Sequence, residues 1–313
     1  MEIINPTDQK HWLELRIKDI TSTEVSALFG LSPYCTKFEL WHRKKRGDVV
    51  SIEENQRMRW GQLLQNSIAE GIAKDNNWKI RPMTEYIRDP LLRAGSSFDF
   101  EVTGTTLPDE DEALNIRAIL EIKNVDGLAF KNGWIVDGEY IEAPAHIELQ
   151  LQHQMMISGH TIGYIGALVG GNDVKLIKRT LSEDIIRRIK NEIAEFWVSI
   201  ENNQPPLPNF AADAGFISKL YGFAEPNKIY DATGNEALTA KLARHKELGE
   251  KIKELDTERD AIKAEVLITI GDSEKVVGDG FSISAGVVAA AEYMCKRAPY
   301  RMFKPTWKKI KGT

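Results

Sequence analysis

The spacing of apolar positions changes period along the chain, and each change predicts an element. Thr21-Ser22-Thr23-Glu24 stands just before Val25, Leu28 and Phe29, a cap signature that predicts a helix starting near Thr21. Leu31-Ser32-Pro33-Tyr34 breaks it, and Phe38, Leu40 and Trp41 mark another, so the segment to about Gly47 reads as helix-rich. Over residues 55–76, Leu63, Leu64, Ile68 and Ile72 supply the buried stripe of a further helix. Residues 93–102 and 115–122 read as paired strands around an acidic turn at Asp109, Glu110, Asp111 and Glu112. Pro144 opens and Gly159 closes the next helix, the residue types that favour those ends. Gly170-Gly171-Asn172-Asp173 joins strands at 161–169 and 174–181 into a hairpin. An amphipathic helix at 182–203 buries Ile185, Ile186, Ile189, Ile193, Phe196, Trp197 and Ile200.

Gln204-Pro205-Pro206-Leu207-Pro208 stops that helix and predicts a domain over residues 1–210 with an extension over 211–313. In the extension, Leu238, Leu242, His245, Leu248, Ile252, Leu255, Arg259, Ile262 and Val266 recur at steps of three and four. That thin seam, interrupted by His245 and Arg259, predicts a long helix, in a helical hairpin or a coiled coil. The last forty residues read as short strands and a basic, aromatic tail.

Composition narrows the class. A hydrophobic fraction of 42% and a charged fraction of 28% are ordinary for a soluble globular protein. No apolar run approaches the roughly 18 residues of a membrane span, the N-terminus carries no signal-peptide pattern, and Cys35 and Cys295 form no disulfide framework. A reducing cytoplasm is the expected location. The net charge of −5 argues against wholesale coating of nucleic acid. Two basic stretches stand out: Arg43, Lys44, Lys45 and Arg46 with Arg57 and Arg59, and a tail of Lys296, Arg297, Arg301, Lys304, Lys308, Lys309 and Lys311. A solvated face is the plain reading of each. In the tail, Tyr300, Phe303 and Trp307 favour docking or nucleic-acid contact.

The chemistry concentrates at Asp99 and at Glu121-Ile122-Lys123. Alternation along a strand turns Glu121 and Lys123 to one face and Ile122 to the other. If Asp99 shares that face, two carboxylates and an ammonium converge. Carboxylates hold magnesium, and a lysine beside them orients or deprotonates water, which is equipment for cutting a phosphodiester. His146, His153 and His160 recur every seven residues, but Gly159 ends the helix before His160 and no cysteine is near, so they are not read as zinc ligands.

Four blocks carry a family resemblance: Leu15-Arg16 with Ile20-Thr21-Ser22-Thr23-Glu24; Trp60-Gly61-Gln62-Leu63-Leu64-Gln65; Ser97-Phe98-Asp99 with Glu121-Ile122-Lys123; and Leu149-Gln150-Leu151-Gln152. In this order the chain resembles the lambda-exonuclease-type, YqaJ-like phage recombination nucleases of the PD-(D/E)XK superfamily, from about Leu13 to Pro206. The resemblance implies an α/β fold with a central mixed sheet flanked by helices and a helical C-terminal extension. It implies a Mg²⁺-dependent exonuclease, with Mn²⁺ as substitute, that degrades one strand of duplex DNA 5′ to 3′ and leaves a 3′ overhang for a single-strand annealing protein. It also implies a homo-oligomer, ring-shaped in lambda exonuclease, in the cytoplasm of a phage-infected or lysogenic bacterium.

By the same resemblance Asp99, Glu121, the Ile122 carbonyl and Gln65 form the metal shell, Lys123 and Gln150 assist catalysis, and Arg16, Thr23 and Ser97 bind a 5′-phosphate. Gln65 stands where the family pattern has glutamate. Glu70 is the alternative, although five residues on it points about 140° away. Gln150 and Gln152 diverge by about 200° on a helix, whereas Gln154 shares the Gln150 face. A second pocket arginine has no counterpart in residues 124–130, with Lys131 as substitute. Two other readings stand beside this one: an endonuclease of the same superfamily, and a DNA-binding adaptor whose site has decayed.

Overall fold

The computed structural model describes residues 1–47, 55–105, 117–290, 292, 301–303 and 305–306. The expected acidic turn and most of the basic tail lie outside them. The chain divides into two units, Met1–Phe216 and Ile217–Thr313.

The first unit opens with β1 (Glu2–Ile4), α1 (Gln9–Lys18) and the short β2 (Ile20–Thr21). The helix expected near Thr21 is a single turn, α2 (Val25–Leu28). The cause is local: the Glu24 carboxylate takes the Thr21 N–H (3.0 Å) and hydroxyl (2.9 Å), and Gly30, at φ +69°, turns the chain away before Pro33. Thr36 and Asn55 each accept the N–H three residues on, starting α3 (Lys37–Arg46) and α4 (Gln56–Asp75). In α4, Ile68, Ala69, Ile72 and Ala73 are buried while Leu63 is 56% exposed. That corrects the expected stripe: Leu64, Ile68 and Ile72 lie four apart on one face, and Leu63 lies about 100° off it.

β3 (Trp78–Pro82), β4 (Tyr86–Asp89), β5 (Ala94–Ser96), β6 (Phe100–Thr105) and β7 (Ala118–Val125) follow. The single strand expected over 93–102 is two strands in different sheets. β5 belongs to a four-stranded sheet ordered β1-β4-β5-β2, and β6 to a five-stranded sheet. β5 is pressed against Tyr86 so closely that a Cβ on Gly95 would lie 2.3 Å from its hydroxyl. Phe98 then turns its ring into the core. Asp99 therefore stands at the switch between sheets, off any strand, and its carbonyl accepts the Met83 N–H (3.0 Å).

After β7 come α5 (Gly127–Gly133), β8 (Ile135–Asp137), β9 (Tyr140–Glu142), α6 (Ala145–Ser158), β10 (Ile162–Val169), β11 (Asp173–Thr180) and α7 (Glu183–Glu201). Pro144 and Gly159 bound α6 as expected, and β10 and β11 form the expected antiparallel hairpin. The five-stranded sheet runs β11-β10-β7-β6-β3, with β10 parallel to β7 and the other pairs antiparallel. β7 is covered on both faces, which is why it is so apolar. Ala118, Leu120 and Ile122 pack with Ile68, Ala69 and Ile72 of α4, whereas Ile119 joins Leu151, Ile165 and Ile189. This is the mixed sheet flanked by helices that the resemblance implied. The unit runs past residue 210 because Asp213 is buried, accepting the Thr36 hydroxyl (2.5 Å) and the Asn209 N–H (2.7 Å). α8 (Ala214–Leu220) begins there.

In the second unit α9 (Glu236–Ile270) is one continuous helix of 35 residues, about 52 Å long. Ile252, Leu255 and Ile262 of its seam are exposed. β12 (Lys275–Gly278) and β13 (Phe281–Ser284) pair antiparallel. Among the described residues no helix is long and apolar enough to cross a membrane.

Candidate active site at the sheet switch

β7 turns Glu121 and Lys123 to its α6 side, and α6 meets them with Gln150 and Gln154, one turn apart. Lys123 Nζ donates to Glu121 Oε1 (2.6 Å) and to Gln150 Oε1 (3.1 Å), and Gln150 Nε2 donates to Glu121 Oε1 (2.6 Å). Gln154 Nε2 donates to Glu121 Oε2 (2.7 Å). Asp99 joins from the sheet switch: its Oδ2 accepts the Ile122 N–H (2.8 Å), and Gln65 of α4 acts on its carboxyl to lower the pKa. Gln152 faces elsewhere, donating to the Thr180 carbonyl (2.9 Å) and accepting the Ser182 N–H (2.9 Å). Glu70 is exposed on α4, and Lys131 is exposed on α5.

The electrostatics of the cluster are unbalanced. Burial, then the neighbouring Glu121 charge, push the Asp99 carboxyl up to about 7, against the pull of Lys123, the Ile122 N–H and Gln65. Burial alone depresses the Lys123 ammonium, but Glu121 and Asp99 outweigh it and hold its pKa above the usual lysine value. Two carboxylates and one lysine leave one negative charge in excess. The available donors are carboxylate, amide and carbonyl oxygens, a hard set that suits magnesium or manganese rather than zinc. Among the described residues no three His, Cys, Asp or Glu side chains gather as a metal site. The three histidines do not converge. His153 is fully buried and burial pushes it down to about 3; His160 bonds Ser158 and Glu101; His146 packs edge-on to Tyr34.

A second cluster adjoins the first through Ser97. Arg16 Nη2 donates to the hydroxyls of Thr23 (3.1 Å) and Thr21 (3.4 Å), and its guanidinium lies 4.5 Å from the centre of the Trp12 ring. Trp12 Nε1 donates to Ser97 Oγ (2.8 Å). Arg16, Thr23 and Ser97 are thus gathered, with Trp12 and Thr21, which sequence reasoning missed. The four-residue step from Trp12 to Arg16 on a helix was the available clue. Lys44, read as part of a solvated basic face, is buried beneath this cluster. Its Nζ donates to the carbonyls of Arg16 and Asp19 (both 2.7 Å) and to Glu24 Oε2 (2.8 Å). Lys45 reaches the Ile200 carbonyl (2.9 Å) and Arg43 pairs with Glu39, so the stretch is largely committed internally. Arg57 and Arg59 are exposed on α4.

Residues 11–161, which contain this whole site, match the family described as the YqaJ-like viral recombinase domain. The match spans the segment that carries the four sequence blocks. The Bacillus subtilis (strain 168) protein described as "Uncharacterized protein YqaJ" is 25% identical over 267 residues, covering 84% of this chain and 78% of the relative. Among solved structures, the alkaline exonuclease LHK-Exo from Laribacter hongkongensis is similar at 15% identity and a TM-score of 0.45, covering 67% of this chain and 100% of that one. A phage-related exonuclease from Haemophilus somnus 129PT gives 10% identity and a TM-score of 0.42, covering 59% of this chain and 94% of that one.

Proposed function

We propose that this protein is a metal-dependent deoxyribonuclease, and specifically an exonuclease that degrades one strand of linear duplex DNA 5′ to 3′. The observation that carries the reading is the hydrogen-bonded cluster of Asp99, Glu121, Lys123 and Gln150 inside the segment that matches the viral recombinase family. Asp99, Glu121, Gln65 and the Ile122 carbonyl would hold Mg²⁺, or Mn²⁺ in its place, which supplies Lewis acidity and a more acidic water. Lys123 positions the attacking water and offsets charge on the phosphate. Gln150 fixes Lys123 and Glu121 relative to each other. Arg16 grips a terminal 5′-phosphate through charge-assisted hydrogen bonds, with Thr23 and Ser97 completing the cage. The 3′ strand left behind is the substrate of a phage-type annealing protein, in the cytoplasm of a phage-infected or lysogenic bacterium. The exposed apolar seam of α9 supports a role for the extension in homo-oligomer assembly.

The test is digestion of end-labelled linear duplex carrying 5′-phosphate or 5′-hydroxyl ends, with Asp99→Ala as control. Wild type is expected to release label from the 5′ end and to prefer the phosphorylated substrate. Arg16→Ala is expected to cut that preference by about 10- to 100-fold, the worth of one hydrogen bond to a charged group. Cleavage of covalently closed circles would make the protein an endonuclease. Intact duplex with both wild type and Asp99→Ala, in Mg²⁺ or Mn²⁺, would make it an adaptor.

A pH dependence follows from Asp99. With its carboxyl pushed up to about 7, it is protonated at pH 6 and must lose that proton to a metal. Mn²⁺ binding at pH 6 is expected to release close to one proton, falling towards none at pH 8. Calorimetry in buffers of different ionisation enthalpy measures the release, and an equal value at both pH values contradicts the assignment.

A further inference from the structure

Gln154 makes two bonds with one amide. Nε2 donates to Glu121 Oε2 (2.7 Å) and to the Ser97 carbonyl (3.3 Å). The residue is 1% exposed, and its Oε1 is buried with no hydrogen-bond partner. Flipping the amide would set Oε1 against two acceptor oxygens, so the orientation is fixed even though it strands an acceptor. An apolar side chain of similar length would fill the same space without that defect. The polar choice is therefore explained by what the N–H end holds.

What it holds lies between the two clusters. Lys123 and Gln150 take Glu121 Oε1, leaving Oε2 to Gln154. Ser97 lies two residues before Asp99 in the sheet switch, and its hydroxyl belongs to the Trp12 and Arg16 cluster. One amide thus spans from β7, which carries Glu121, to the turn that carries both Ser97 and Asp99. It is a second tie between that turn and β7, beside the bond from the Ile122 N–H to Asp99. Ser97 thus touches Trp12 through its hydroxyl and Gln154 through its carbonyl.

We propose that Gln154 is a positioning residue that sets the spacing of Glu121 from the Ser97–Asp99 turn and so couples the Arg16 cluster to the metal carboxylates. The proposal rests on the nuclease reading and adds to it a means by which the state of the DNA end reaches the metal site. By linkage, a phosphate held at Arg16 tightens metal binding and the metal tightens phosphate binding.

The full chain is used for the test, with Gln154→Met, which keeps length and loses the amide, and Gln154→Asn, which keeps the amide and loses the reach. Mn²⁺ affinity is measured by calorimetry without DNA, and cleavage rates are compared on 5′-phosphate and 5′-hydroxyl ends. Both variants are expected to bind Mn²⁺ about tenfold or more weakly, the usual cost of losing a group that orients a ligand. Their 5′-phosphate preference is expected to fall about fivefold or more. Circular dichroism selects the variants that fold, and either one suffices. A folded variant with wild-type Mn²⁺ affinity overturns the positioning role. Weakened metal binding with an unchanged end preference overturns the coupling. If wild type binds no Mn²⁺, or Asp99→Ala binds it as tightly, the nuclease reading itself fails and takes this inference with it.

Discussion

Asp99→Asn is expected to lower the cleavage rate about a thousandfold and, at pH 8 without metal, to make the protein more stable. Both effects come from one group. Burial and the Glu121 charge push the Asp99 carboxyl up to about 7, against roughly 3.9 in an unfolded chain. Between those values the folded protein keeps a proton that the unfolded chain has released. Stability therefore falls as pH rises from about 4 to about 7, and the loss is complete above that window. Asparagine keeps an oxygen for the Ile122 N–H and removes the charge. The gain is expected to be about 2–4 kcal/mol at pH 8 and near zero at pH 4. Urea unfolding in EDTA at the two pH values measures it. A variant that loses cleavage without gaining stability at pH 8 would show that Asp99 is not held in a like-charged site.

The parts of this site that were legible in the sequence depend on short-range geometry. Glu121 and Lys123 are two apart on a strand, and Gln150 and Gln154 are four apart on a helix, so their shared faces follow from period alone. Gln152 was separable from Gln150 for the same reason, and in the structure it serves the junction of β11 and α7 instead. The switch of sheets at Ser97-Phe98-Asp99 was not legible. It depends on which strands pair with β5 and β6, and those partners come from distant segments: β4 and β2 for one, β3 and β7 for the other. Local alternation reads the same whether a strand continues or changes sheets.

Burial of charge was equally hidden. Lys44 sits in a run of four basic residues, the pattern of a solvated face, yet it is buried and makes three hydrogen bonds beneath the Arg16 cluster. Its partners, the carbonyls of Arg16 and Asp19 and the carboxylate of Glu24, lie 20 to 28 positions away. No helical or strand period links them. The same holds for Trp12 and Ser97, 85 positions apart and joined by one bond. The family blocks supplied Arg16, Thr23 and Ser97, but the indole that joins Arg16 to Ser97 belongs to none of them.

Gln65→Glu is the second large effect, and its two halves have opposite signs. In the metal-free chain Gln65 holds the Asp99 carboxyl down, against burial and Glu121. Glutamate removes the amide and brings a third negative charge to a site already one charge in excess. The Asp99 carboxyl then rises further, and stability at pH 8 in EDTA is expected to fall by about 1–2 kcal/mol. With a divalent ion the sign reverses, because ligand charge count tunes the affinity of oxygen sites. The Mg²⁺ concentration for half-maximal cleavage is expected to drop about tenfold or more, and Mn²⁺ calorimetry should show the same gain. The same substitution thus weakens the empty site and strengthens the filled one, so Mg²⁺ should raise the unfolding midpoint of Gln65→Glu more than that of wild type. If neither midpoint nor metal dependence moves, the α4 side chain does not face the ion, and the site would have to draw its third ligand from elsewhere.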